Sequence, residues 1–198
     1  MAKVIDYYLT LISPWAYMGS PRFEEIAARH GAEVRVKPVD YGAIFPRTGG
    51  LPLAKRAPER RAYRLMELKR WPARLNMALN LHPAHFPVPD GAAAHLVLAA
   101  AETGGDPLML AHALLRAVWT EERNIADAAT LEEIARETGH DAAALTAKAG
   151  EPEIQKMREA QTEEAIARGV FGAPTYVYRD ELYWGQDRLD FLDRALEN

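Results

Sequence analysis

Ser13-Pro14-Trp15-Ala16 occupies a position where the spacing would suit a Cys-x-x-Cys pair, but a hydroxyl holds the first place and the chain contains no cysteine. That absence removes disulfide exchange, thiolate nucleophiles and Cys-based metal sites together. If this protein does thiol chemistry, the sulfur must arrive on a ligand. Ser13 also lacks the context of a covalent nucleophile, because none of the six histidines sits in a recognisable nucleophile-elbow setting. Its ordinary role would be an N-cap, accepting a free backbone N–H of the helix that follows. A second group of interest, Phe171-Gly172-Ala173-Pro174-Thr175, lies far along the chain. A third, Gln186-Asp187, follows shortly after it.

These groups need elements to hold them. Residues 4–9, Val-Ile-Asp-Tyr-Tyr-Leu, have the composition of a buried strand. After Ser13, apolar residues Tyr17, Phe23, Ile26 and Ala27 fall near helical spacing, Pro14 suits the first turn, and Gly31 ends the pattern. Residues 33–39 read as a second strand, so the chain opens as a βαβ unit. Residues 42–58 read as an irregular loop rich in Gly, Pro and basic side chains, of a length often linked to function. Helices are expected over 59–70, interrupted at Trp71-Pro72 and resumed through Leu79. Others are expected over 92–102, 107–121, 141–149 and 153–168. Thr130-Leu131-Glu132-Glu133 fits a capping box that opens one more, stopping at Gly139. Strands at 175–178 and 182–184 form a hairpin, and Gly185-Gln186-Asp187 opens a last helix with Asp187 as its expected N-cap. The fold class is α/β: a thioredoxin-like fold with a helical insertion. Its thioredoxin-like part comprises residues 1–50 and 170–198, and the insertion comprises residues 51–169.

The 198 residues suffice for one large domain or for one domain with an insertion. With 48% hydrophobic and 26% charged residues, the composition is that of an ordinary globular protein. A net charge of −4 gives no reason to expect nucleic acid or an anionic membrane as a partner. The first residues contain no apolar signal core and no stretch nears the ~20 apolar residues of a bilayer span, so a cytoplasmic location is expected. Against this acidic background, Lys55, Arg56, Arg60 and Arg61 stand out. They read either as a solvated face or as a site for carboxylates, for which arginine has bidentate reach. His82 and His85 lack a Cys or carboxylate partner and give no metal site. Trp15, Phe45 and Phe86, on expected loops, could wall a flat aromatic substrate.

Four segments, in order, resemble the 2-hydroxychromene-2-carboxylate isomerases, relatives of kappa-class glutathione transferases and DsbA-type oxidoreductases. They are Ser13-Pro14-Trp15-Ala16-Tyr17, His85-Phe86-Pro87-Val88, residues 169–175, and Trp184-Gly185-Gln186-Asp187-Arg188-Leu189. The resemblance implies glutathione as cofactor, with Ser13 at its sulfur and Pro14 and Trp15 beside it. It further implies a cis Ala173–Pro174 bond that offers the Ala173 backbone to the cysteinyl part, and Gln186-Asp187 at the γ-glutamyl end. It also implies Gly50 at glutathione; relatives often carry Gly-Asn where this chain has Gly49-Gly50, so one side-chain contact is absent there. The implied reaction is isomerisation of 2-hydroxychromene-2-carboxylate to trans-o-hydroxybenzylidenepyruvate in aromatic catabolism. The small aromatic carboxylate would be met by Phe45, Lys55, Arg56, Arg61, His85 and Phe86. A homodimer, formed through the helical insertion, is also expected.

Such a site need only favour a thiolate. A free thiol titrates near ~8.5. A helix N-terminus contributes ~0.3–1 kcal/mol toward an anion, and a hydroxyl hydrogen bond to a charged acceptor adds roughly 1.5–3 kcal/mol. At ~1.4 kcal/mol per unit, the pair would lower the thiol by about one to three units. A glutathione transferase that conjugates electrophiles would use the same site, and a non-catalytic thioredoxin-like binding module would share only the fold.

Overall fold

The computed structural model describes residues 2–197. Met1 and Asn198, the outermost residues of the expected thioredoxin-like unit, lie outside them. The sheet has four strands, β1 (Val4–Leu9), β2 (Glu33–Pro38), β3 (Thr175–Tyr178) and β4 (Glu181–Trp184), in the order β2-β1-β3-β4. β1 runs parallel to β2, with Tyr7 opposite Val36, and antiparallel to β3, with Tyr7 opposite Tyr176. The parallel pair requires a crossover, which α1 (Pro14–His30) supplies, while β3 and β4 are joined directly as an antiparallel hairpin.

Alternation along β1 divides the interior. Ile5, Tyr7 and Leu9 enter a large buried cluster with Phe23 and Ile26 of α1. Tyr8 points the other way, into a smaller cluster with Val39, Tyr41, Ile44, Ala165 and Val177. On the first side Tyr7, Phe23 and Tyr176 pack ring to ring, with centroids 4.5–5.0 Å apart. The helical region consists of α3 (Pro58–Leu75), α4 (Gly91–Glu102), α5 (Pro107–Trp119), α6 (Ala128–Glu137), α7 (Ala142–Ala149) and α8 (Pro152–Ala167). Leu96, Leu114, Trp119 and Leu131 from this region belong to the same large cluster as β1, so the insertion and the sheet share one core.

Three local expectations are corrected. Residues 42–58 are not one irregular loop, because α2 (Tyr41–Thr48) forms within them. Asp40 caps it by accepting the Gly42 N–H at 2.7 Å, Gly49 ends it at φ 76°, and Tyr41 and Ile44 bury its inner face. The cap and this burial outweigh the breaking tendency of Gly42 and Pro46. A 3-10 turn, Leu53–Lys55, completes the segment. Pro72 does not interrupt α3, because it lies in the last turn, where a missing N–H costs a single bond. The helix ends at Asn76 (φ 52°) and does not resume to Leu79. Thr130 does not open α6. Asp127 is its cap, accepting both the N–H and the hydroxyl of Thr130.

Candidate active site

The turn after β1 is held from several sides. Asp90 Oδ2 accepts Thr10 Oγ1 at 2.5 Å and the Leu11 N–H at 3.1 Å, while Asp90 Oδ1 receives Arg158 Nη2 at 3.0 Å. The Ser13 N–H donates to Thr10 O at 3.1 Å. Ser13 is the N-cap of α1, accepting the Ala16 N–H on Oγ at 3.1 Å, with Pro14 as the first helical residue. Only 6% of Ser13 is exposed. Its own O–H faces Ala173 O at 3.5 Å, near the outer limit of a hydrogen bond. The hydroxyl therefore spends its acceptor capacity on the helix and leaves its proton weakly engaged, beside the positive end of the helix.

Opposite Ser13, the Ala173–Pro174 peptide is cis, as the sequence reading expects. Gly172 O accepts Thr175 Oγ1 at 2.6 Å and Tyr41 Oη at 2.9 Å, and the Gly185 N–H donates to Pro174 O at 2.9 Å. These bonds fix the Ala173 backbone against Ser13. Gly185 (φ 101°) turns the chain out of β4 into a 3-10 turn, Gln186–Arg188, that leads directly into α9 (Leu189–Glu197). Gln186 is 3% exposed and packs on α1 at Gly19, where an added Cβ would meet Gln186 Cβ at 3.0 Å. Asp187 is exposed, and its carboxylate receives Arg188 Nη1 at 2.8 Å. It therefore stands within the 3-10 turn rather than before the last helix.

Trp15, Ala173, Gly185, Gln186 and Asp187 line one wall of a cavity of about 590 Å³. The other wall is one face of α3, carrying Arg60, Tyr63, Arg64, Glu67 and Trp71, with Arg56 just before the helix. The volume lies within the ~300–1,000 Å³ typical of small-molecule sites. Ser13 and Pro14 are buried behind this surface, beside Trp15. Of the three cations expected at a substrate, Arg56 lines the cavity, whereas Lys55 and Arg61 are exposed and are not lining residues; Arg60, not named for that role, lines it as well. Phe45 and Gly50 pack on each other, Phe45 also on Tyr41 at 5.6 Å, and neither is a lining residue. His85 and Phe86 also stand outside the lining; the Phe86 ring packs on Trp119 at 4.9 Å, beneath Arg64.

The sequence reading missed Arg64, Tyr63, Trp71 and Trp184. Arg60, Arg64, Glu67 and Trp71 repeat at helical spacing, the signal that could have grouped them on one face. Electrostatics distinguish Arg64. Burial, and secondarily the nearby Arg56, pull its guanidinium down to about 10, still protonated near neutrality. Burial and then Arg60 lower Arg56 likewise.

Residues 4–197 match the DSBA-like thioredoxin domain family. A 2-hydroxychromene-2-carboxylate isomerase from Sphingobium xenophagum is 30% identical to this chain, over 99% of each. A solved 2-hydroxychromene-2-carboxylate isomerase has the same fold, with a TM-score of 0.82 at 23% identity, covering 98% of this chain and 94% of the other. The cytosolic disulfide reductase DsbM from Pseudomonas aeruginosa, solved with GSH, follows with a TM-score of 0.70 at 22% identity, covering 98% of this chain and 100% of the other. Among the described residues no helix is long and apolar enough to cross a membrane. The chain belongs to the DSBA-like thioredoxin family and, within it, to the 2-hydroxychromene-2-carboxylate isomerases.

Proposed function

We propose that this protein is a glutathione-dependent isomerase that interconverts 2-hydroxychromene-2-carboxylate and trans-o-hydroxybenzylidenepyruvate. The observation that carries the reading is the Ser13 hydroxyl. It caps a helix, keeps its proton weakly engaged at 3.5 Å from Ala173 O, and stands behind Trp15 and Ala173, which line a cavity in a protein without cysteine. Glutathione fits these residues: a weakly engaged donor for sulfur, a fixed backbone edge at Ala173, and a buried amide beside an exposed carboxylate at Gln186-Asp187. When bound, it would supply the reversible nucleophile through which a conjugated double bond gains freedom to rotate.

The chain's own residues then have distinct tasks. Ser13 donates to the sulfur and, with the α1 N-terminus, favours its anionic form. The Ala173 backbone aligns the cysteinyl unit. Asp187 receives the γ-glutamyl ammonium and Gln186 bonds beside it, in a turn braced on α1. Trp15 flanks the sulfur and, with Trp71 and Tyr63 opposite, excludes water from a flat substrate. Arg56 and Arg60 supply positive charge for the substrate carboxylate. The family membership and the GSH in the DsbM structure support this reading.

Calorimetric titration with glutathione tests the assignment of its site. The protein should bind it, and Asp187→Ala should weaken binding about tenfold or more, the scale of a charged hydrogen bond. Binding unaffected by that change would remove Gln186-Asp187 from the site. No binding at all would leave a thioredoxin-like module without this chemistry.

A further inference from the structure

Arg64 lies on α3, half-buried at the edge of the cavity. Its guanidinium lies 5.5 Å from the Phe86 ring centre and 5.9 Å from that of Trp119, so two aromatic faces hold it in place. It lines the cavity, and no carboxylate among the described residues lies within ion-pairing distance of it. The nearest acid along its helix face, Glu67, is occupied by Arg70 at 2.7 Å and by the Trp71 indole at 3.0 Å. Among the described residues, Arg56, whose Nε donates to Leu51 O, and Arg60 likewise form no ion pair with a carboxylate. Most buried arginines in proteins have an acid beside them. A half-buried guanidinium over two aromatic rings, facing a cavity and in no ion pair among the described residues although Glu59, Glu67 and Asp187 line the same cavity, is arranged for an anion that comes and goes.

We propose that Arg64 is the specificity-determining residue that selects a carboxylate with an oxygen on the adjacent carbon, that is, an aryl 2-oxo or 2-hydroxy acid. The planar fork of guanidinium N–H groups matches two such neighbouring oxygens, which a single ammonium cannot reproduce. Arg56 sits near enough to repel Arg64 and therefore to share the anion's charge. Trp71 and Tyr63 lie on the same face of α3, seven residues after Arg64 and one before it, and provide the apolar wall for the aryl ring. The anion thus enters on the α3 side of the cavity, facing the Ser13 turn and the Gln186-Asp187 turn on the other. This assignment rests on the isomerase reading for its substrate but on Arg64's own surroundings for its chemistry.

The test uses phenylpyruvate and its methyl ester as probes, titrated into wild type, Arg64→Met and Arg64→Lys by calorimetry. Circular dichroism and melting temperature establish that each variant is folded. Wild type should bind the acid at least tenfold more tightly than the ester. Arg64→Met should bring the two within about twofold, and Arg64→Lys should fall at least threefold short of the wild-type preference. A preference retained in folded Arg64→Met, full retention in Arg64→Lys, or no preference in wild type would overturn the assignment. Glutathione titrated separately keeps the two readings apart. Lost glutathione binding with an Arg64-dependent acid preference would sink the isomerase reading and uphold the anion site.

Discussion

Replacing Ser13 separates its helix-capping role from the donor role proposed for the same hydroxyl. The cap bond from the Ala16 N–H is 3.1 Å long, and losing such a cap to alanine costs about 0.5–2 kcal/mol. The contact with Ala173 O at 3.5 Å adds little, so the stability loss in Ser13→Ala should stay near ~1 kcal/mol. For a chain of this size that is a drop in melting temperature of about 2–4 °C. The donor role weighs more: a hydrogen bond to a charged sulfur is worth roughly 1.5–3 kcal/mol, which is about one to two pKa units. The α1 N-terminus remains in the variant, so its ~0.3–1 kcal/mol is retained. The thiolate absorbance of bound glutathione, followed in the ultraviolet against pH, should therefore shift its midpoint up by about one to two units. Turnover near neutrality should fall about tenfold to a hundredfold, at ~1.4 kcal/mol for each factor of ten. Ser13→Gly is the decisive companion, because glycine caps a helix within a few tenths of a kcal/mol of serine yet has no hydroxyl. It should keep nearly the wild-type stability and show the same thiolate shift as alanine. A midpoint unchanged in both variants would reduce Ser13 to a helix cap and refute the reasoning.

Two further perturbations concern the scaffold. Lys37 Nζ meets Asp6 at 3.0 Å and Glu164 at 2.8 Å beneath the sheet, with Arg168 also on Asp6. Burial alone would raise both carboxyls, but Lys37, with Arg168 at Asp6 and Tyr8 at Glu164, more than reverses this and holds both low. Their stabilisation is thus complete above the unfolded values of ~3.9 and ~4.3 and is lost as pH falls through the lower folded values. Urea unfolding should show stability declining from about pH 4 downward. Lys37→Met should cost about 3 kcal/mol at pH 7 and flatten that decline; an unchanged acid limb would refute the network's role. Gly185 has φ 101° and ψ 150°, and an added Cβ would meet Asp187 Oδ1 at 2.5 Å. Gly185→Ala should lose about 1–3 kcal/mol in urea melts and weaken glutathione binding, and wild-type behaviour would show that the turn relaxes without cost.

The parts of the site that sequence reveals are those set by local chemistry. Ser13 before Pro14, the β-rich run before it and Ala173-Pro174 before a strand each carry a cap, strand or turn signal within a few residues. They therefore place the turn before α1 and the cis-proline loop before β3, whereas Gln186-Asp187, expected to open the last helix, forms a 3-10 turn of its own. α2 is hidden because Gly42 and Pro46 interrupt a helical pattern that Asp40 and the burial of Tyr41 and Ile44 restore. Phe45 and Gly50 consequently pack on each other in that segment instead of lining the cavity. Arg64 is hidden for a different reason. A charged residue on a charged helix reads as solvated until the rotation of α3 is known, and the rings Arg64 lies over, Phe86 and Trp119, are distant in sequence. Lys55 and Arg61, equally basic and close by, lie on the wrong side of the same segment.

In the proposed function a borrowed thiol, returned after each turnover, drives an isomerisation at the Ser13 turn. Its most direct test incubates the protein with 2-hydroxychromene-2-carboxylate and a small, substoichiometric amount of glutathione, following product and free glutathione together. The reaction should approach the same equilibrium mixture as with excess glutathione, with many turnovers per glutathione, full recovery of the thiol, and no acceleration without it. Glutathione consumed one for one with substrate would make the protein a conjugating transferase, and equal rates with and without glutathione would contradict the account at its root.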